Sequence, residues 1–259
     1  MENELNITIL QSDLVWESAP KNRENFETKI NSITVPTDVI VLPEMFTTGF
    51  AMQPEHLAES MDGPTIKWML QLAKAKNSAI CGSIIIKENE HYYNRFIFVT
   101  PSGEIHQYNK RHLFSLAGEH KRYQNDNKQV IIEYKGWKIC PLICYDLRFP
   151  VWSRNTSNYD VLLYVANWPK PRVTAWNTLL KARAIENMSY VVGANRMGTD
   201  ANGHQYSGNS IILDALGNEI TPLAENKEAI LTASLSKKEL LASRNKFNFL
   251  NDQDGFEMK

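Results

Sequence analysis

Short apolar runs that stop abruptly at a charged or reactive side chain constrain this chain more than any other feature. Asp38 to Leu42 stops at Pro43-Glu44, Ile105 to Tyr108 leads into Asn109-Lys110, and Trp137 to Ile143 stops at Cys144. Runs of this length, rich in β-branched residues and bounded by turn residues, read as strands. Side chains at strand ends on one sheet edge can converge even when far apart in sequence. The chain therefore has to be built on sheets, and a carboxylate, an ammonium and a thiol are candidates for one edge.

Helical spacing fills the gaps. Asn22 to Ile33 reads as an amphipathic helix. Thr65 to Ala75 sets Ile66, Met69, Leu70 and Ala73 on one face behind the start signal Gly63-Pro64, and Trp176 to Glu186 repeats the pattern with Trp176, Leu179, Leu180 and Arg183. Further strands are predicted at Asn6–Leu10, Ala79–Ile86, Asn94–Thr100, Val130–Tyr134, Val161–Ala166, Tyr190–Ala194, Ser210–Leu213 and Ala229–Ala233. Pro101-Ser-Gly-Glu104 and Lys135-Gly136 are hairpin turns. Alternating strands and helices predict an α/β sandwich of mixed sheets covered by helices. No repeat, low-complexity tract or break in composition divides the chain, so one domain over residues 1–259 is expected.

Composition excludes several function classes. The net charge is -1 with lysines and arginines scattered, which gives no electrostatic case for nucleic acid or an acidic membrane surface. No apolar stretch approaches the length of a membrane span. The start, Met-Glu-Asn-Glu-Leu-Asn, lacks the basic and apolar parts of a signal peptide. Cys81, Cys140 and Cys144 then read as free thiols in a reducing compartment, and a cytoplasmic location is expected. The histidines and cysteines make up no complete zinc motif, and Rossmann and P-loop glycine patterns are absent, so no cofactor and no metal are implied.

Cys144 is the candidate nucleophile, because a strand that breaks into the polar turn Tyr145-Asp-Leu-Arg-Phe-Pro150 gives the sulfur a rigid base and solvent access. A carboxylate at Glu44 can accept the thiol proton, and an ammonium at Lys110 can stabilise an oxyanion. Taken singly, each has a plainer role: a buried inert thiol, a carboxylate at a helix start, a solvated loop lysine. Cys81 and Cys140 keep the inert reading.

Together, Glu44 in VLPEMF, Lys110 in YNKRHLF and Cys144 in LICYDLRFP resemble the Glu-Lys-Cys triad of the nitrilase superfamily of carbon–nitrogen hydrolases. The resemblance runs from Ile7 to about Leu235, with the motifs in the family's order and at its usual separations. Within the family, VLPEMFTTGF, YNKRHLF, CYDLRFPVWSRN and YVANWP look most like the omega-amidases, which deaminate monoamides of 2-oxo-dicarboxylic acids. One departure is Val151, where many relatives carry a glutamate after the RFP segment.

The resemblance implies a four-layer α-β-β-α sandwich that associates as a homodimer and takes a small-molecule amide. It implies that Glu44 is the general base and acid, that Cys144 forms a thioester, and that Lys110 with the backbone N–H of Tyr145 holds the oxyanion. Glu119, in Leu116-Ala-Gly-Glu-His120, matches the family's second glutamate, which positions the substrate amide and Lys110. Trp168 and Arg172 lie in the proline-stiffened loop Asn167-Trp-Pro-Lys-Pro-Arg172. Trp168 is read as a pocket wall, and Arg172 either holds a substrate carboxylate by a two-pronged contact or is simply solvated. Asp146 and Arg148 are expected to form an internal ion pair behind the nucleophile, and Glu186 and Asn187 to make internal hydrogen bonds. Residues 245–259 form a tail whose Phe247, Phe249 and Leu250 either strap a partner subunit or pack on their own.

A different carbon–nitrogen hydrolase, such as a nitrilase or carbamoylase, is the alternative function. A catalytically silent binding protein is the alternative from another class, and the intact triad argues against it.

Overall fold

A computed structural model describes residues 4–257. Its first strands, β1 (Glu4–Gln11), β2 (Val39–Val41) and β3 (Ala79–Glu88), pair in parallel in that order. Parallel strands need long crossovers. Helices α1 (Ala19–Asn31) and α2 (Pro64–Lys76) supply them. Proline in the first turn starts each helix, and Asn77 in the left-handed conformation stops α2. Helix α1 begins three residues before the predicted Asn22, since Pro20 fits a first helical turn.

Strands β4 (His91–Val99) and β5 (Ile105–Asn109) add antiparallel beyond β3. The second sheet repeats the plan: β6 (Ile132–Tyr134), β7 (Trp137–Ile143), β8 (Val161–Ala166), β9 (Tyr190–Asn195), β10 (Met197–Thr199) and β11 (Gln205–Leu213). Its order is β10-β11-β9-β8-β7-β6, with β7, β8 and β9 parallel and β12 (Ala224–Glu225) on β11. All six residues of β8 are buried, as a parallel strand covered on both faces requires. Short α3 (Pro150–Ser153) and α4 (Val173–Asn187) lie between β7 and β8 and between β8 and β9. Strand β13 (Ala229–Ser236) returns to pair antiparallel with β1.

Side-chain alternation assigns the layers. Val39 and Val41 of β2 face a core shared with Ile139, Leu142, Val161 and Leu163 of the second sheet. Ile40 and Leu42 point the other way, onto Phe26 and Ile30 of α1 and Ile66 and Met69 of α2. Trp176, Leu180 and Ala184 of α4 pack on the second sheet, where a Cβ on Gly193 would lie 2.6 Å from Leu180. The order is helix, sheet, sheet, helix, as expected.

Helix α5 (Lys237–Phe247) was not predicted. Its signal was available in Ser236-Lys-Lys-Glu239, because Ser236 Oγ caps the helix by accepting the Glu239 N–H. The helix packs on its own chain: Leu240 is buried, and Arg244 donates to the carbonyls of Met188 (2.7 Å) and Tyr159 (2.6 Å). The predicted strap is partly this helix. Phe247, the last residue of the helix, stacks on Phe249, which is 54 % exposed. Residues 258 and 259 of the predicted tail, and 1–3 of the predicted domain, lie outside the described residues.

Candidate active site

The carboxyl ends of β2, β5, β7 and β8 share one edge of the sandwich, and the residue set grows from there. Glu44 follows β2, Lys110 follows β5, Cys144 follows β7 and Asn167 follows β8. Met45 and Cys144 adopt left-handed backbone, with φ of 41° and 43°. That conformation is costly for a side chain with a Cβ and is retained where surrounding structure over-determines it. Here it ends β7 sharply and starts the 3-10 turn Cys144–Arg148, with Cys144 only partly buried.

Glu44, Lys110 and Glu119 are fully buried. Lys110 Nζ donates to Glu44 Oε1 at 2.8 Å and to both Glu119 oxygens at 3.0 Å. Its ammonium also lies 5.2 Å from the centre of the Phe50 ring. Burial alone would strip its proton. Glu119 and Glu44 outweigh burial and hold the ammonium well above its usual pKa. Burial raises the Glu119 carboxyl, with Lys110 pulling it back and Glu44 pushing it up. Burial, the Glu44 charge and a hydrogen bond to Glu44 keep the Cys144 thiol protonated well above its usual value, against the pull of Lys110. The resting sulfur is a neutral thiol beside a carboxylate, so attack requires proton transfer.

Two asparagines that sequence reasoning missed complete the cluster. Asn94, on β4, donates to Glu44 Oε1 (2.7 Å) and Glu119 Oε1 (3.3 Å). Asn167 donates its backbone N–H to Glu44 Oε2 (2.8 Å) and its amide to the Glu44 carbonyl (2.6 Å). The available signal was a polar residue inside or directly after an apolar strand, since buried polar groups need partners. Asn195 locks the next peptide, accepting from the Trp168 N–H and donating to its carbonyl.

Asp146 corrects one expectation. It makes no pair with Arg148. Its Oδ2 accepts from Ile143 N–H and Tyr108 Oη, and its Oδ1 lies 2.8 Å from His112 Nδ1 and accepts from the His112 N–H. A fully buried carboxylate takes the donors that surround it, and those come from β5, its following loop and β7. Asp146 thus ties the cysteine turn to the lysine segment. Arg148 instead lies 4.8 Å from the centre of the Trp168 ring.

A cavity of about 180 Å³ opens on Cys144 and Lys110. Tyr145, Trp168 and Arg172, predicted to bind substrate, all line it, and Arg148 joins them. Arg172 lies 5.2 Å from the centre of the Phe114 ring, and Trp168 Nε1 donates to the Arg172 carbonyl at 2.8 Å. Among the described residues neither guanidinium has an ion pair or a hydrogen bond. Leu116, 82 % exposed, stands at the cavity mouth on the loop that carries Glu119 inward. Val151, the departure from the family pattern, is exposed on α3 and is not among the residues that line this cavity. Cys81 and Cys140 are sealed between the sheets, where burial raises their thiol pKa. Glu186 and Asn187 bond internally as expected, Asn187 accepting from the Asn155 N–H and Glu186 pairing with Arg183.

The sequence profile of the carbon-nitrogen hydrolases matches residues 6–245. The chain belongs to the carbon–nitrogen hydrolase family. Omega-amidase YafV of Escherichia coli K12 is 46 % identical over 254 residues, spanning 98 % of both chains. The 2-oxoglutaramate amidase of Bacillus subtilis is 32 % identical, covering 95 % of this chain and 96 % of its own. A crystal structure of XC1258 from Xanthomonas campestris, a CN-hydrolase superfamily protein with an arsenic adduct in its active site, superposes with a TM-score of 0.96 at 37 % identity, 99 % of each chain being covered. This carbon–nitrogen hydrolase is an enzyme of the amidase kind.

Proposed function

We propose that the chain is an omega-amidase that hydrolyses the terminal amide of small 2-oxo-dicarboxylic acid monoamides, with 2-oxoglutaramate and 2-oxosuccinamate as substrates. One observation carries the reading: a single cavity joins the Glu44–Lys110–Glu119–Cys144 cluster to two unpaired guanidiniums. One end suits carbon–nitrogen chemistry, and the other suits a carboxylate held two-pronged by Arg172 or Arg148.

In this reading Glu44 takes the thiol proton as Cys144 Sγ bonds to the amide carbon, and the carbonyl electron pair moves onto oxygen. Lysine has three N–H donors. One serves Glu44 and one is shared by the Glu119 oxygens, which frees the third for the oxyanion alongside the Tyr145 N–H. Amides at the start of a helical turn have no carbonyl partner within it, which suits Tyr145 to this task. Glu44 passes the proton to nitrogen, the C–N bond breaks, and ammonia leaves a thioester. Water deprotonated by Glu44 attacks the thioester, and the thiol regains its proton as the acid departs. Glu119 keeps Lys110 in line.

The same reading takes residues 1–259 as one domain, working in the cytoplasm as a homodimer. Exposed Val151, Ile185 and Leu216 support association through a helical face, and light scattering coupled to gel filtration tests it. The function itself is tested by ammonia release from 2-oxoglutaramate, a nitrile and a carbamoyl amino acid. Fastest release from the first is expected, with an acyl adduct on Cys144 in intact-mass trapping. Preference for either of the others overturns the assignment.

A further inference from the structure

Asn167 gives two of its three N–H donors to Glu44, its backbone N–H to Oε2 and one from Nδ2 to the Glu44 carbonyl. Its Oδ1 is buried with no hydrogen-bond partner among the described residues. The orientation of the side-chain amide is forced. Turning it over would set Oδ1 about where Nδ2 now lies, 2.6 Å from another carbonyl oxygen. Asn167 lines the catalytic cavity, beside Cys144 and Lys110. Asn94 also leaves its Oδ1 bare, but it does not line that cavity. Buried unpartnered acceptors are uncommon and call for an explanation, such as an absent ligand.

The surroundings hold this oxygen still. Strand β8 ends at Ala166, whose carbonyl accepts the Arg196 N–H, and Asn195 clamps both polar groups of the Trp168 backbone. Asn195 is itself fixed by Gly208 and Ser210. A rigid acceptor on a residue that lines the catalytic cavity calls for a hydrogen-bond donor, and the reacting carboxamide brings one in its N–H2.

We propose that Asn167 Oδ1 accepts a hydrogen bond from the N–H2 of the substrate carboxamide, and so selects amides over acyl compounds without an N–H. This rests on the amidase reading above and adds to it the group that recognises the leaving nitrogen. A carboxamide carries its oxygen and its two N–H bonds on opposite sides. An acceptor at the nitrogen and donors at the oxygen fix which way the group lies over Cys144. An ester or thioester of the same acid offers nothing to Oδ1 and leaves it unpaired, and sites built to pair a polar group reject analogues that lack it.

The test compares 2-oxoglutaramate with the methyl thioester of the same acid, which passes through the same acyl-enzyme. Asn167→Ala and Asn167→Ser are assayed against wild type, the serine keeping a small hydroxyl near the Glu44 carbonyl should the alanine variant fail to fold. The expected result is a fall of roughly 10- to 100-fold in kcat/KM for the amide with a much smaller change for the thioester, as loss of one buried hydrogen bond predicts. A parallel fall on both substrates assigns Asn167 only to holding Glu44 and overturns the proposal, as does no change on either. Wild-type enzyme that releases no ammonia from any amide overturns the omega-amidase reading instead, and this inference with it.

Discussion

The two sides of the catalytic cavity are built by opposite means. On the first-sheet side, Glu44, Lys110 and Glu119 are sealed from solvent and bonded to one another, with Asn94 and Asn167 filling the remaining lone pairs. On the other side, Arg148 and Arg172, which follow β7 and β8, rest on the faces of Trp168 and Phe114, and among the described residues neither has an ion pair or a side-chain hydrogen bond. Buried charges are tolerated only when paired and hydrogen-bonded, so the first side is preorganised and has little freedom to respond. Ring faces hold a guanidinium plane while leaving its N–H fork available. The contrast teaches that the buried acid–base cluster of Glu44, Lys110 and Glu119 and the adjustable arginines come from different sheets, with Cys144 on the second sheet between them and Asp146 tying its turn to β5 and the loop after it.

Substitutions can break that contrast in order of size. Cys144→Ala should abolish ammonia release while circular dichroism and melting temperature stay near wild type. Turnover within tenfold of wild type in the purified variant would end the covalent mechanism. Lys110→Ala should lower kcat by at least about a hundredfold through loss of an oxyanion donor. It should also destabilise the fold by roughly 3–5 kcal/mol, because two carboxylates are left buried without their partner. A change confined to KM, with an unaltered denaturation midpoint, would mean that the first side is not preorganised.

The second side should behave differently. Arg172→Ala is expected to raise KM for the keto-acid amide roughly tenfold, with kcat and stability little changed. Equal kinetics on amides with and without a carboxylate would remove that role, and Arg148→Ala then becomes the deciding variant. The smallest effect concerns pH. Cys81, Cys140 and Cys144 hold their protons above the ordinary thiol value of 9.0. As pH rises past that value the unfolded chain gives up protons that the native chain keeps, so this contribution to stability is full below it and is lost above it. Melting temperature should therefore decline between about pH 8.5 and 10.5, and a flat profile would contradict the raised thiol pKa values.

Much of the fold was legible because strands buried on both faces must be apolar throughout. Val161–Ala166 and Trp137–Ile143 were read with their observed bounds for that reason. Helix α5 was not read, although Ser236 and Glu239 announce it, because its exposed faces weaken the apolar pattern. In the site, the grouping of Glu44, Lys110 and Cys144 was legible from residue type at strand ends. Asn94 and Asn167 were not, since an asparagine in or after a strand says nothing about which carboxylate it will meet. Asp146 and Arg148 misled because opposite charges close in sequence suggest a pair, whereas the turn aims them at different neighbours.

By itself the sequence determined most of the strands and helices, the family and the candidate set of Glu44, Lys110 and Cys144, because those follow from local pattern and chemical kind. Only the tertiary structure decided who bonds to whom: that Asp146 serves His112 and Tyr108, that the arginines lean on rings, and that the amide oxygen of cavity-lining Asn167 has no partner among the described residues. The reason is physical. Residue type fixes how many hydrogen bonds a group needs, while the packing of two sheets fixes which partners come within reach.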